Sequence, residues 1–150
     1  MLNRNMADYS GIAGTAPVLA HPSTFGPTAA TALPAGTPVS IDATSGEAVK
    51  AQANAAATAN CAGLCRFSAA AGDRAVVQYG DVLELTTAQW DAVTGGSGGL
   101  TPNARYYVSS ATAGLITATP PVSEGTFVSP VGLALSATEL LVTFAAPIVL

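Results

Sequence analysis

Two stretches of the chain, about 68 residues apart, follow one pattern, and this constrains the fold more than any other feature. The segment TPVSIDATSGEAV at 37–49 aligns with ARYYVSSATAGLIT at 104–117. The alignment places the A-T-x-G sequence of 43–46 on that of 111–114. A nearly constant offset is the mark of a repeated structural unit. Two ordinary β-meanders with common turn residues are the alternative interpretation.

A second match lies downstream and keeps almost the same offset. It joins Gly63-Leu64 with Ser68-Ala69 to Gly132-Leu133 with Ser136-Ala137. AVVQYG at 75–80 then corresponds loosely to LLVTFA at 140–145. The predicted unit is a hairpin, a connection, a strand containing Gly-Leu and a partner strand, with half-repeats at about 34–85 and 101–146.

Short alternating runs between turn residues predict an all-β domain over 34–150. Val39 and Ile41 alternate with polar residues, and the ATSG turn brings the chain back at Ala48–Lys50 as a hairpin. We expect a mainly β fold, a compact antiparallel barrel or sandwich of about eight short strands. Further strands are predicted at 61–67, 75–79, 81–85, 105–109, 115–119, 127–135 and 140–144.

One short helix is predicted between the half-repeats, at 87–93. Thr86 and Gln89 have the spacing of a capping box, and Gly95 suits the end of a helix. Trp90 and Val93 fall on one helical face, so a core anchor is the favoured role for the tryptophan.

Residues 1–33 predict an extended N-terminal arm, because Pro17, Pro22 and Pro27 interrupt any regular period. The arm carries scattered apolar and aromatic side chains that a solvated tail would waste. These are candidates for contact with a partner: Tyr9, Ile12, Val18, Leu19 and Phe25. A frayed terminus, or one that folds back on its own domain, is the alternative.

Low charge excludes several classes of function. Only 9% of the residues are charged, and the net charge of −4 includes no basic cluster, so we expect no nucleic-acid partner. Proline, serine and threonine interrupt every long apolar run, and the first twenty residues lack a signal core, so we expect no membrane partner. One histidine and two cysteines are too few for an ordinary zinc site.

No catalytic site emerges from the sequence, and we expect neither an enzyme nor a cofactor or metal. His21, the single histidine, stands before a proline in the irregular arm. Asp81 and Glu84 are an odd number of residues apart and would point to opposite faces of a strand. Cys61 and Cys65 have neither redox nor zinc spacing and are expected as small buried thiols.

Several phrases of the sequence together carry a resemblance. They are PAGTPVSID at 34–42, AVKAQANAAATANCAGL at 48–64, AAAGDRAVVQYGDVLELT at 69–86, TTAQWDAVTGGSGGLTPNARYYVS at 86–109 and VGLALSATELLV at 131–142. The combination resembles the capsid decoration, or head cement, proteins and related head-fibre modules of tailed bacteriophages. It covers most of residues 34–150.

The resemblance implies a non-enzymatic virion protein on the outer capsid surface, made in the host cytoplasm. Its partners would be the major capsid protein and further copies of itself, as a dimer or a trimer. The arm would contact the shell. Independently of the resemblance, the low charge content predicts that much of the uncharged surface lies at subunit contacts.

Two further expectations concern the C-terminus and the aromatic residues. The apolar terminus Ile148-Val149-Leu150 would meet a neighbouring subunit or pack in the core of its own domain. The other function left open is a head or tail fibre module. In it Trp90, Tyr106 and Tyr107 would contact host-surface glycans.

Overall fold

The computed structural model describes residues 23–150, which form twelve strands and two helices. The strands are β1 Thr24–Phe25, β2 Pro38–Ile41, β3 Ala48–Lys50, β4 Gly63–Cys65, β5 Val77–Gln78, β6 Val82–Glu84, β7 Arg105–Val108, β8 Ile116–Thr117, β9 Phe127–Val128, β10 Pro130–Ala134, β11 Glu139–Val142 and β12 Ile148–Val149. The helices are α1 Ala56–Ala59 and α2 Thr87–Thr94. The mainly β, antiparallel prediction is confirmed.

Ten strands form two five-stranded sheets that have the same topology. The first sheet has the order β1-β5-β4-β2-β3, and the second has the order β6-β11-β10-β7-β8. Replacing β2, β3, β4 and β5 by their counterparts in the sequence repeat gives the second order, with β6 at the edge that β1 occupies in the first. The predicted internal repeat is therefore confirmed at the level of strand pairing, which turn composition alone would not produce. The predicted boundary of the first half-repeat, 34–85, is wrong, because β6 belongs to the second sheet.

Residue pairs across the strands repeat as well. Ser40 pairs with Val49 in the first hairpin, and Tyr107 pairs with Thr117 in the second. Between the next strands, Val39 faces Gly63 as Tyr106 faces Gly132. The two halves thus share strand order and register.

The two glycines stand at equivalent places for the same physical reason. A Cβ atom at Gly63 would lie under 3.0 Å from the Gln78 carbonyl oxygen, and one at Gly132 equally close to that of Leu141. Neither site has room for a side chain, because the neighbouring strand's backbone approaches closely there. The Gly-Leu pair recurs in both halves because each of these strands needs a glycine at this contact.

The loop that enters each hairpin is also duplicated. Thr37 N–H donates to the Pro34 carbonyl, and Ala104 N–H donates to that of Thr101, so each loop is a tight turn. The third residue of each turn has a positive φ, and it is Gly36 in the first half and Asn103 in the second. Glycine and asparagine are the residues that tolerate this conformation.

Three details of the prediction are wrong. The alignment of the last strand is shifted by two residues, because Val77 rather than Ala75 is the counterpart of Leu140. The strand number is twelve in the described residues rather than about eight, partly because β9 and β12 add a two-stranded sheet. The sheets do not close into a barrel, and the sandwich alternative fits.

The boundary of the predicted arm is also wrong. Residues 23–33 belong to the β-domain, since β1 pairs with β5 and Leu33 exchanges two backbone hydrogen bonds with Ala69. Ala29 and Leu33 are buried in the first sheet's core. Two-residue strands carry no alternation, so the sequence pattern did not reveal them.

Helix α2 confirms the predicted helix and its cap. The Thr86 side chain accepts from Gln89 N–H, and the Gln89 side chain accepts from Thr86 N–H. Gly95 ends the helix in the left-handed conformation. The buried Trp90 donates from Nε1 to the Thr138 carbonyl at 2.9 Å, which confirms its role as a core anchor.

The two sheets differ in how their faces are covered. The first contributes Val39, Cys65 and Val77 to a small cluster on one face, and Leu64 to the main core on the other. The second contributes to the main core, through residues such as Leu140 and neighbours that share its face. That core combines both halves and includes Trp90.

Candidate interaction surfaces

The predicted C-terminal contact residues form an exposed apolar strand. Ile148 and Val149 make up β12, which pairs with β9, and the Leu150 N–H donates to the Thr126 carbonyl at 3.0 Å. Their exposed fractions are 64%, 61% and 44% for Ile148, Val149 and Leu150. The alternative of core packing within the monomer is therefore wrong. Three consecutive exposed apolar side chains at the end of an ordered strand make this segment a candidate contact site.

Phe25 is the member of the predicted arm contacts that lies in the described residues. It stands on β1 with 37% of its surface exposed, and its ring is tilted against Tyr79 at a centroid distance of 6.1 Å. Since β1 is a sheet edge, Phe25 belongs to the domain surface rather than to an extended arm. Tyr9, Ile12, Val18 and Leu19 lie outside the described residues.

Two of the three aromatic residues proposed for glycan stacking are in the core. Trp90 is fully buried, and Tyr106 is buried with its hydroxyl accepting from the Thr101 N–H at 2.9 Å. Neither ring presents a face to solvent, so neither can stack on a sugar. Tyr107 is half-buried. The assignment of Trp90 and Tyr106 to a glycan platform is wrong.

An open groove of about 450 Å³ lies between the β2–β3 hairpin and α1. Its lining is small and weakly polar, with Asp42 and Asn60 supplying its strongest acceptors. The Asp42 carboxylate already accepts from the Ser45 N–H and hydroxyl, at 2.8 and 2.9 Å. These hydrogen bonds lower the pKa of Asp42 and stabilise the hairpin turn. The carboxylate therefore serves the turn.

Both cysteines are free thiols held in a poorly ionising environment. Cys65 is buried and Cys61 is half-buried against the main core. Desolvation raises the pKa of Cys61 to about 12 and raises that of Cys65 as well. Because the thiolate is the nucleophile and the metal ligand, both groups are weakly reactive at neutral pH. The prediction of small buried thiols is confirmed for Cys65, whereas Cys61 is only half-buried.

Among residues 23–150, no group of three or more His, Cys, Asp or Glu side chains lies close enough together to hold a metal ion. Within the same range, neither helix has the length and apolarity needed to cross a bilayer.

A third surface was not predicted from the sequence. The outer face of the second sheet carries Val82, Leu141 and Leu133 side by side, and all three are at least partly exposed. Recognising it needs the cross-strand pairing, because the three residues come from three separate strands. This apolar face is a second exposed apolar surface besides the C-terminal strand β12.

Comparison with known proteins adds no family. No family model matches the chain, and no curated protein is significantly similar to it.

Proposed function

We propose that this chain is a non-enzymatic structural protein of a tailed-bacteriophage virion. It binds the outer surface of the capsid and stabilises contacts between major capsid proteins, in several copies that also contact one another. The observation that carries the proposal is the exposed apolar segment formed by β12, Ile148–Val149, and the following Leu150.

The composition supports this proposal. With 9% charged residues, much of the surface is small and uncharged, and such a surface suits a protein that is packed among many identical neighbours. A symmetric shell repeats one binding site many times. Modest area at each copy is then sufficient if a multimer engages several sites at once.

The sequence resemblance supports the same class of protein. The phrases that carry it include both Gly-Leu strands, the first hairpin and the first strand of the second hairpin. The shared features are therefore mainly those of the framework, and the residues proposed here for capsid contact, at the C-terminal strand and in residues 1–22, lie outside these phrases.

Binding to capsids tests the proposal. Purified protein is mixed with mature, expanded capsids that lack it, and co-sedimentation and thermal resistance of the particles are measured. We expect saturable binding and a higher disruption temperature. The double variant Ile148→Asp with Val149→Asp should bind at least tenfold more weakly, because charge opposes burial of the strand.

Val122→Asp is the matched control. Val122 is 85% exposed in the loop between β8 and β9, so its replacement adds the same charge away from the strand. The triple variant Ile12→Asp, Val18→Asp and Leu19→Asp tests the predicted arm contact in the full chain. Deleting residues 1–33 would remove β1 and Leu33 and is unsuitable. Absence of any capsid binding by the wild-type protein would overturn the proposal.

A further inference from the structure

One face of the second sheet carries a row of side chains that is open to solvent. Val82 pairs with Leu141, Leu141 with Leu133, and Leu133 with Arg105, across β6, β11, β10 and β7. Directly paired residues point to the same face of a sheet, so these four form one line across it. Val82 is 41% exposed, both leucines are partly exposed and Arg105 is exposed. We call these four residues the open row.

The first sheet has the same row, and there it is covered. Thr24 pairs with Gln78, Gln78 with Leu64, and Leu64 with Pro38, through the equivalent strands. Gln78, Leu64 and Pro38 are buried, and Leu64 packs into the main core with side chains of the second half. The repeated unit therefore uses this row as a packing surface once within the chain. The equivalent row in the second sheet, the open row, has no such cover among residues 23–150.

We propose that the open row of one chain packs against the open row of a second copy. A two-fold axis parallel to the strands, between two aligned sheets, places Leu141 opposite the second copy's Leu133. It also places Arg105 opposite the second copy's Val82. The inference deepens the self-association that forms part of the proposed function.

Charges around the row favour this arrangement. Glu84 lies two residues beyond Val82 on the same face and pairs with Glu139 on β11. Within one chain Arg105 is three strands from Glu84, about 14 Å at 4.8 Å per strand. In the two-fold arrangement Arg105 lies over Val82 of the second copy. Glu84 of that copy is two residues further along the same strand, on the same face. Opposite charges then meet at both ends of the apolar stripe.

The size of the face sets the expected strength. A row of four residues that is about 14 Å across covers less area than the roughly 800 Å² per partner of a standard stable interface. A dimer held by this patch alone should be weak and should depend on concentration. Such a contact would act chiefly among copies already held close together.

Sedimentation velocity of the full chain over a range of concentrations tests the proposal. We expect a reversible monomer–dimer equilibrium. Leu133→Asp should raise the dimer dissociation constant at least tenfold, whereas the exposed control Val122→Asp should leave it within twofold. Circular dichroism and thermal melting show whether each variant is folded.

A charge exchange avoids the risk that Leu133→Asp unfolds the sheet. Arg105→Glu and Glu84→Arg change exposed side chains, and each alone should weaken the dimer at least threefold. Together they should restore it to within twofold of the wild type, because the opposite charges meet again across the interface. Equal dissociation constants for the wild type and both single variants would overturn the arrangement.

Other occupants of the row give different results, and each overturns the proposal. A dimer lost in Ile148→Asp but unchanged in Leu133→Asp would place self-association at β12. A monomeric wild type together with a dimeric double variant, Val18→Asp with Leu19→Asp, would show that the chain's own N-terminal residues cover the row. A wild type that is monomeric throughout also overturns it.

Capsid binding is measured separately on Arg105→Glu. Dimerisation without capsid binding by any variant would leave this inference standing and remove the proposed function. Capsid binding by a strictly monomeric wild type would do the reverse.

Discussion

The two halves of the chain have one topology but different surroundings. In the first half both faces of the sheet are covered, one by a small cluster and the other by the main core. In the second half one face joins the main core, and the other face presents Val82, Leu133 and Leu141 to solvent. Equivalent positions therefore have opposite burial among the described residues, and the exposed row is the surface that we propose for a second chain.

The insertions in each half explain part of this difference. Helix α2 lies between β6 and Leu100, while only seven residues separate β1 from Leu33 at the equivalent place. The added helix brings Trp90 and Val93 into the main core. A Cβ at Gly36 of the first half would lie 3.0 Å from Val93 Cγ2, so the helix also contacts the first half.

The largest expected effect comes from truncating the same row position in each half. Leu64→Ala should lower the free energy of unfolding by about 2–5 kcal/mol, because it leaves a cavity in a fully buried site. Leu133→Ala should cost less than about 1 kcal/mol, since its side chain is already partly hydrated. Urea unfolding at low protein concentration, where dimers dissociate, measures both. Equal losses would contradict the different burial of the two rows.

A smaller effect should be shared by both halves. Gly63→Ala and Gly132→Ala should each lower the free energy of unfolding by about 1–3 kcal/mol, because the new methyl group meets the neighbouring strand's carbonyl. Gly96→Ala, whose nearest neighbour would be the Thr94 hydroxyl at 3.4 Å, is the control. Chemical denaturation measures all three. A large loss at only one of the two glycines would break the equivalence of the repeats.

The smallest expected effect is the contribution of the Cys61 thiol to the free energy of unfolding. It is limited to alkaline pH and has no equivalent in the second half. Burial raises the pKa of Cys61 from about 9 to about 12, so the folded state holds this proton more tightly than the unfolded state does. Its contribution to stability is complete below about pH 9 and is lost as the pH rises toward 12. Pro130, which lies 69 residues further along, has no such group. Cys61→Ala should flatten the decline in unfolding free energy over this range.

Unfolding curves of wild type and Cys61→Ala at a series of pH values provide the measurement. A decline of equal steepness in both proteins would assign the alkaline loss to other groups. Cys65 has Ala134 as its counterpart in strand register, so an alanine is already accommodated at that place in the fold.

Local patterns predicted much of the framework. The A-T-x-G turns located both hairpins, and the Thr86–Gln89 spacing located α2, because turns and caps depend on residues close together in the chain. Strand β1 and helix α1 were missed, since elements of two and four residues are too short to show a period. Both depend on contacts made far along the chain.

The candidate surfaces were predicted less completely. Ile148, Val149 and Leu150 stood out as an apolar end, but their exposure was open until their pairing with β9 was known. Trp90 and Tyr106 were plausible sugar-stacking residues from composition, and packing placed both inside. Aromatic residues serve cores and binding sites alike, so their type alone does not distinguish the two.

By itself the sequence determined the repeat, the antiparallel β class, the helix cap and the two glycines on which strand packing depends. These features depend on local backbone geometry and on short-range patterns of residues, and the amino-acid sequence contains both. Only the tertiary structure decided which copy of the repeated row is buried. The Gly-Leu phrase is the same in both halves, yet Leu64 meets the main core and Leu133 meets solvent. Burial depends on which distant residues of the chain pack against a side chain. Two identical local sequences do not contain that information.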